Sequence, residues 1–131
     1  MRTLIVEDDF TTRILMQAML KGFGEVELAV DGQAGVDAYR ISLQKRQPFD
    51  LICLDIMMPD LDGQQTLRVI REMEEDFGIY SSQGARIVMT SALGDTQNLV
   101  NAYTGKCDGY LTKPISRQEL LDELRRLKLI L

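Results

Sequence analysis

Six side chains in this sequence are of types that could work together: Glu7, Asp8 and Asp9 after one apolar run, Asp55 after a second, Ser91 after a third, and Lys113 ahead of Pro114. A cluster of carboxylates without His or Cys is a hard-oxygen site. It suits Mg²⁺, which takes one or two carboxylates and completes its octahedron with water and phosphate oxygens. An aspartate beside such an ion, with an ammonium and a hydroxyl opposite, is equipped to accept a phosphoryl group. The metal and the lysine neutralise the charge on the transferring group while the hydroxyl hydrogen-bonds an equatorial oxygen. The chain has no histidine, which excludes His-based triads, His zinc sites and any role as a phosphohistidine donor. Singly, each residue has a plainer explanation: acids after a strand cap helices, Asp55 could form a turn before Pro59, Ser91 could be a loop hydroxyl and Lys113 a surface lysine. Together they make accident a poor account, because all would have to reach one rim.

The elements that would deliver them follow from the apolar pattern. Leu51 to Leu54 is too short for a helix and apolar on both faces, as a central strand of a parallel sheet is when helices cover both sides. Asp55 then stands at its C-terminal end, at a rim and not buried mid-strand, with Pro59 and Gly63 turning the chain away. Arg2 to Val6 reads as the first strand and ends in the three acids. Thr11 to Lys21 reads as a helix, Glu25 to Val30 as a half-exposed edge strand, and Gln33 to Leu43 as a second helix. Gln64 to Phe77 gives a third helix with Leu67, Ile70 and Met73 inward and Glu72, Glu74, Glu75 and Asp76 outward. Gly78 to Gly84 reads as a surface loop, Arg86 to Thr90 as a fourth strand with Ser91 just past it, and Asp95 to Tyr103 as a thinly apolar fourth helix. Gly109 to Thr112 is a short fifth strand. Ser116, with Glu119 three residues on, forms a capping box for a last helix carrying Leu120, Leu121, Leu124, Leu127 and Ile130. Five strand-helix repeats mean a doubly wound α/β fold with a parallel sheet.

Composition bounds the function. The 131 residues make one domain, 1–131, with 45% hydrophobic and 27% charged residues. A net charge of −5 without a Lys/Arg cluster argues against direct nucleic-acid binding. Arg125, Arg126 and Lys128 read as the solvated face of a helix that is leucine-rich on its other side. No signal peptide or membrane-length apolar run is apparent, so a cytoplasmic location is expected. Cys53 in a strand and Cys107 in a loop support neither a disulfide framework nor a thiol-metal site.

The motifs Val6-Glu7-Asp8-Asp9 with Arg13, Leu54-Asp55-Ile56-Met57-Met58-Pro59 with Asp62-Gly63, Thr90-Ser91-Ala92, and Gly109-Tyr110-Leu111-Thr112-Lys113-Pro114 occur in this order. In them the chain resembles, over essentially its whole length, the receiver domain of bacterial two-component response regulators. The resemblance implies a flavodoxin-like sheet of order 2-1-3-4-5 with five helices. It also implies Asp55 as phosphoacceptor, Glu7 and Asp8 as the acidic pair, and Met57 as the residue whose backbone carbonyl ligates Mg²⁺. Ser91 matches the switch hydroxyl, Lys113 the phosphate-binding lysine and Tyr110 the aromatic that changes rotamer with Ser91. Lys113-Pro114 would be a cis peptide aiming the ammonium at the site. The run of three acids allows a frame with Asp8 and Asp9 as the pair. Glu7 and Asp8 are preferred because Arg13 then falls at the family's usual offset and Asp9 opens the helix.

The function so implied is a switch and not a turnover enzyme. A sensor histidine kinase, a histidine phosphotransfer protein or a small acyl phosphate phosphorylates Asp55, Ser91 moves inward, and Tyr110 fills the space. The face of the fourth helix, fifth strand and fifth helix then changes state toward a downstream target protein. Met57 and Leu93 are apolar where some relatives carry groups that position water, so slow self-hydrolysis is expected. With nothing after Leu131, output is expected through binding, as in a stand-alone chemotaxis-like regulator or relay intermediate. The rival within the fold is a receiver cut from a larger regulator or hybrid kinase. From other classes, a carboxylate-Mg²⁺ phosphatase using Asp55 would want a second aspartate where Met57 stands, and a flavodoxin-type carrier would want flavin-binding loops. Leu127, Leu129, Ile130 and Leu131 are more apolar than a solvent-facing end needs, which suggests a homodimer or partner contact there.

Overall fold

Every residue from Leu51 to Asp55 is buried, and in the computed structural model this segment is β3, the middle strand of a five-stranded sheet. The structure describes residues 1–80, 83–92 and 106–131. In chain order the elements are β1 (Thr3–Val6), α1 (Phe10–Leu20), a 3₁₀ turn (Lys21–Phe23), β2 (Val26–Ala29), α2 (Gly32–Gln44), β3 (Leu51–Asp55), α3 (Gly63–Asp76), β4 (Arg86–Ser91), β5 (Gly109–Thr112) and α4 (Arg117–Arg126). All strand pairs are parallel, in the order β2-β1-β3-β4-β5. This is the flavodoxin-like arrangement expected. The helix expected over Asp95 to Tyr103 lies outside the described residues, so four α-helices are described here.

The period-2 alternation of the central strands divides the interior in two. Leu4, Val6, Ile52, Leu54, Ile87 and Met89 point into one cluster with Val36 and Tyr39 of α2 and Leu67 and Ile70 of α3. Ile5, Leu51, Cys53, Val88 and Leu111 point the other way, onto Met16 and Leu20 of α1 and Leu120 and Leu124 of α4. Each fully buried leucine among these contributes roughly 1.5–3 kcal/mol. Burial also pushes the Cys53 thiol up to about 12, leaving it a small apolar side chain.

Several local expectations change. Glu74 is not on the outer face of α3 but 2% exposed. It accepts the Tyr39 hydroxyl at 2.5 Å and the Ala85 amide at 2.8 Å, and it pairs with Arg71 at 2.8 Å. Arg71 is its i,i+3 neighbour in α3, but Tyr39 and Ala85 come from separate segments that helical spacing does not show. Val30 falls past the end of β2 and is exposed, while Ala29 is the buried position. Ser116 caps α4 by accepting from the Glu119 amide. The full reciprocal capping box stands at the start of α3, between Asp62 and Gln65.

The apolar C-terminus folds back on its own domain. Lys128 adopts φ 61°, its amide bonds Arg125 O at 2.9 Å, and the Leu129 amide bonds Leu124 O at 2.9 Å. This is a Schellman motif with lysine in the left-handed position. It turns Leu127, Leu129 and Ile130 onto the cluster beneath α1 and α4, leaving Leu131 exposed. Three of the four residues on which a homodimer or partner contact was expected thus pack partly within the chain, and Leu131 stays exposed. Among the described residues no helix is long and apolar enough to cross a membrane.

Candidate phosphoacceptor and metal site

Strand register builds the site. β1, β3, β4 and β5 end along one edge, with Val6 opposite Leu54, Asp55 opposite Thr90, and Ser91 opposite Thr112. The pairing continues past the strands, with the Ile56 amide on Thr90 O at 2.8 Å and the Lys113 amide on Ser91 O at 2.6 Å. Asp55 and Ser91 are therefore the last residues of β3 and β4, and both are buried, at 3% and 0% exposure. This corrects the expectation of an exposed rim aspartate and of a serine beyond its strand. The neighbouring ladders and the start of α3 wall them in. Gly63 sits so close to β3 that a Cβ there would lie 2.1 Å from Asp55 O, which is why the helix opens on glycine.

Glu7, Asp8 and Asp55 each offer a carboxylate oxygen, all within 4.8 Å of one another. Glu7 is buried and Asp8 exposed. Asp9 faces away from this group. Its carboxylate caps α1, accepting from the Thr12 amide at 2.9 Å and the Thr12 hydroxyl at 2.7 Å, and those bonds hold it below its usual value. The Asp9 amide donates to Glu7 Oε2 at 3.1 Å. Lys113 follows β5 through a cis Lys113-Pro114 bond. Its Nζ lies 2.7 Å from Glu7 Oε1 and 3.4 Å from Asp55 Oδ2. The Glu7 contact is a close ion pair, and Lys113 is the group that faces that buried oxygen.

Electrostatics favour an incoming cation. Burial pushes the Asp55 carboxyl up to about 7, the closeness of Glu7 adds to this, and Lys113 opposes it. Burial alone would lower Lys113, but its contact with Glu7 and the charges of Asp55 and Glu7 together hold it above its ordinary value. One ammonium among three carboxylates leaves a net negative hollow. Hard oxygen donors at this spacing fit a divalent ion that keeps several waters.

Among the described residues the Ser91 hydroxyl has no hydrogen-bond partner although it is fully buried. An unsatisfied buried hydroxyl costs about 1–3 kcal/mol. Tyr110, opposite Met89 in β5, is 46% exposed. Met57 is 56% exposed, and its amide donates to Asp55 Oδ1 at 3.2 Å. The motif residues that meet directly are thus Glu7, Asp8, Asp55 and Lys113, with Ser91 at the adjacent strand end and Tyr110 turned outward. Leu93 lies outside the described residues. What sequence reading missed is the bracing: the Asp62–Gln65 box, and Arg13, whose guanidinium donates to Glu7 O at 2.9 Å. The S/T/D-x-x-E/Q signature of a capping box was present in the sequence at Asp62.

The response regulator receiver domain family matches residues 3–125. The chemotaxis protein CheY of Halobacterium salinarum is 29% identical over 123 residues, which cover 94% of this chain and 92% of that protein. The osmosensing histidine protein kinase SLN1 of Saccharomyces cerevisiae is 32% identical over 121 residues, 91% of this chain but 9% of the kinase. The chain likewise spans 12% of the rice protein named probable histidine kinase 2. Among solved structures, the receiver domain of the histidine kinase CKI1 from Arabidopsis thaliana, complexed with Mg²⁺ and BeF₃⁻, superposes with a TM-score of 0.85 at 26% identity. It covers 98% of this chain and 90% of that one.

Proposed function

The chain belongs to the response regulator receiver domain family and is a phosphorylation-dependent signalling switch, and from that premise we propose that Asp55 is its phosphoacceptor. The observation that carries this reading is the meeting of Glu7, Asp8, Asp55 and Lys113 at one strand edge, with a buried Ser91 hydroxyl that has no partner among the described residues at the next strand's end. The domain spans residues 1–131.

Asp8, Asp55 and the Met57 carbonyl would hold Mg²⁺ directly, and Glu7 through water. When bound, the ion supplies charge neutralisation for the transferring phosphoryl group. The Asp55 carboxylate is the nucleophile, and the Met57 amide fixes its rotamer. Lys113 stands within reach to exchange Glu7 for a phosphoryl oxygen. Ser91 donates its free hydroxyl to another, which draws it inward and lets Tyr110 leave solvent for the vacated space. The signal leaves through β5 and α4, the surface that carries Tyr110 and Lys113. The switch is reset by hydrolysis and is not a turnover enzyme. It works in the cytoplasm with a sensor histidine kinase or histidine phosphotransfer protein as donor and a downstream protein as target.

Incubation with acetyl phosphate and Mg²⁺, followed by intact mass and peptide mapping, tests the assignment. A single phosphoryl adduct on the peptide containing Asp55 is expected, absent when Mg²⁺ is chelated. An Asp55→Asn chain that still accepts phosphate stoichiometrically would overturn it.

A further inference from the structure

Arg13 stands where its charge is electrostatically unwelcome. It lies in the first turn of α1, at the positive end of the helix dipole. It also lies beside a carboxylate hollow in which a fixed positive charge competes with any incoming cation. Yet among the described ion pairs none joins Arg13 to Glu7, Asp8 or Asp55; the ammonium of Lys113 pairs with Glu7 and Asp55. The guanidinium goes to backbone instead, 2.9 Å from Glu7 O and 3.4 Å from Asp8 O. Arg13 Nη1 makes both carbonyl contacts, so Arg13 takes none of the oxygens that Glu7, Asp8 and Asp55 would offer an ion.

Phe10 completes the arrangement. It is 66% exposed, a large apolar side chain with no core to serve, and its ring centroid lies 5.6 Å from the Arg13 guanidinium carbon. At that range the ring attracts the cation and shields one face of it from water. Asp9 caps the same helix, so the turn from Glu7 to Asp9 is held from both ends, by the helix cap and by the guanidinium.

We propose that Arg13 is a positioning residue for the divalent ion: it fixes the Glu7–Asp8 backbone so that both carboxylates face the hollow, and Phe10 holds it there. The inference rests on the reading of Glu7, Asp8 and Asp55 as a Mg²⁺ site. It separates from a purely electrostatic role by sign. Deleting a positive charge beside the hollow strengthens Mg²⁺ binding if Arg13 acts through its field. Deleting the brace weakens binding if Arg13 acts through the carbonyls, and supporting groups of this kind are worth on the order of tenfold in metal affinity.

The test is a Mg²⁺ titration followed by amide NMR shifts on the wild-type chain, Arg13→Lys, Arg13→Gln and Phe10→Ala, with far-UV circular dichroism to verify folding. Arg13→Lys keeps the charge but loses the rigid planar guanidinium that holds Nη1 against both carbonyls. The expected result is about tenfold weaker Mg²⁺ binding for both arginine variants and a smaller loss for Phe10→Ala, which keeps the arginine. Unchanged affinity in Arg13→Lys, with tighter or equal binding in Arg13→Gln, overturns the proposal while leaving the metal site standing. A wild-type chain that binds no Mg²⁺ brings down the metal-site reading and this inference together.

Discussion

Replacing Asp55 by Asn is expected to stabilise the metal-free protein, and to do so by an amount that depends on pH. Asp55 is 3% exposed beside a Glu7 that is 1% exposed, and its carboxyl is held near 7 instead of its ordinary 3.8. The folded state therefore keeps the proton more tightly than the unfolded chain. A group raised in this way contributes stability that is fully present below about pH 4 and is lost as pH rises through 7. The gap corresponds to roughly 4 kcal/mol if Asp55 carried it alone. Because Glu7 shares the site, ~2–4 kcal/mol is the scale expected at pH 8. Asparagine cannot ionise and keeps what aspartate loses. No histidine titrates in this window, since the chain has none. Urea unfolding with chelator present, followed by circular dichroism, should show the variant more stable by that order at about pH 8. The advantage should shrink by more than half near pH 5. Equal stabilities at pH 8, or an advantage that does not change with pH, would refute the reasoning.

Other consequences are as specific. Lys113→Met removes the counter-charge facing Glu7 and Asp55, and after allowance for its partial exposure should cost about 1–2 kcal/mol at pH 8. Adding Mg²⁺ should restore most of this in a thermal melt, and a melt indifferent to Mg²⁺ would contradict it. Met57→Asn places a polar group at the mouth of the site, where a methionine is now 56% exposed. Loss of the phosphoryl group from Asp55 should accelerate, and an unchanged dephosphorylation rate would remove the reason given for slow self-hydrolysis. Lys128→Gly puts the preferred residue at φ 61° in the motif that ends α4. It should raise stability by ~0.5–1 kcal/mol in denaturant titration, and a loss would mean that the lysine side chain contributes more than its backbone costs.

The parallel sheet was readable because Thr3 to Val6, Leu51 to Leu54 and Ile87 to Met89 are short apolar runs that no helix or half-exposed strand would use. Each ends in a chemistry-bearing residue, so the candidate site came with the strands. The strand order came from family resemblance, since apolar runs do not number their neighbours. The depth of Asp55 and Ser91 was not legible, because burial at a strand's last residue depends on how far the adjacent strands reach and on Gly63 letting α3 press close. Glu74 was misplaced for a related reason. Its spacing puts it beside Glu75 on an acidic face; Arg71 one turn earlier is a local partner, but the Tyr39 hydroxyl and the Ala85 amide that also make burial tolerable are set by tertiary packing. The Leu129–Ile130 end was read as a docking patch because a left-handed lysine turning the chain back onto its own core has no sequence signature. Asp9 opens α1 as its N-cap, as expected, and the carboxylates that meet are those of Glu7, Asp8 and Asp55.

A crystal structure of the chain with Mg²⁺ and beryllofluoride tests the central claim most directly. The account predicts beryllium on an Asp55 oxygen, the ion between Asp8, Asp55 and the Met57 carbonyl, and Lys113 Nζ and Ser91 Oγ each on a fluoride. An ion seated elsewhere, or Lys113 and Ser91 both out of reach of the beryllofluoride, would contradict it.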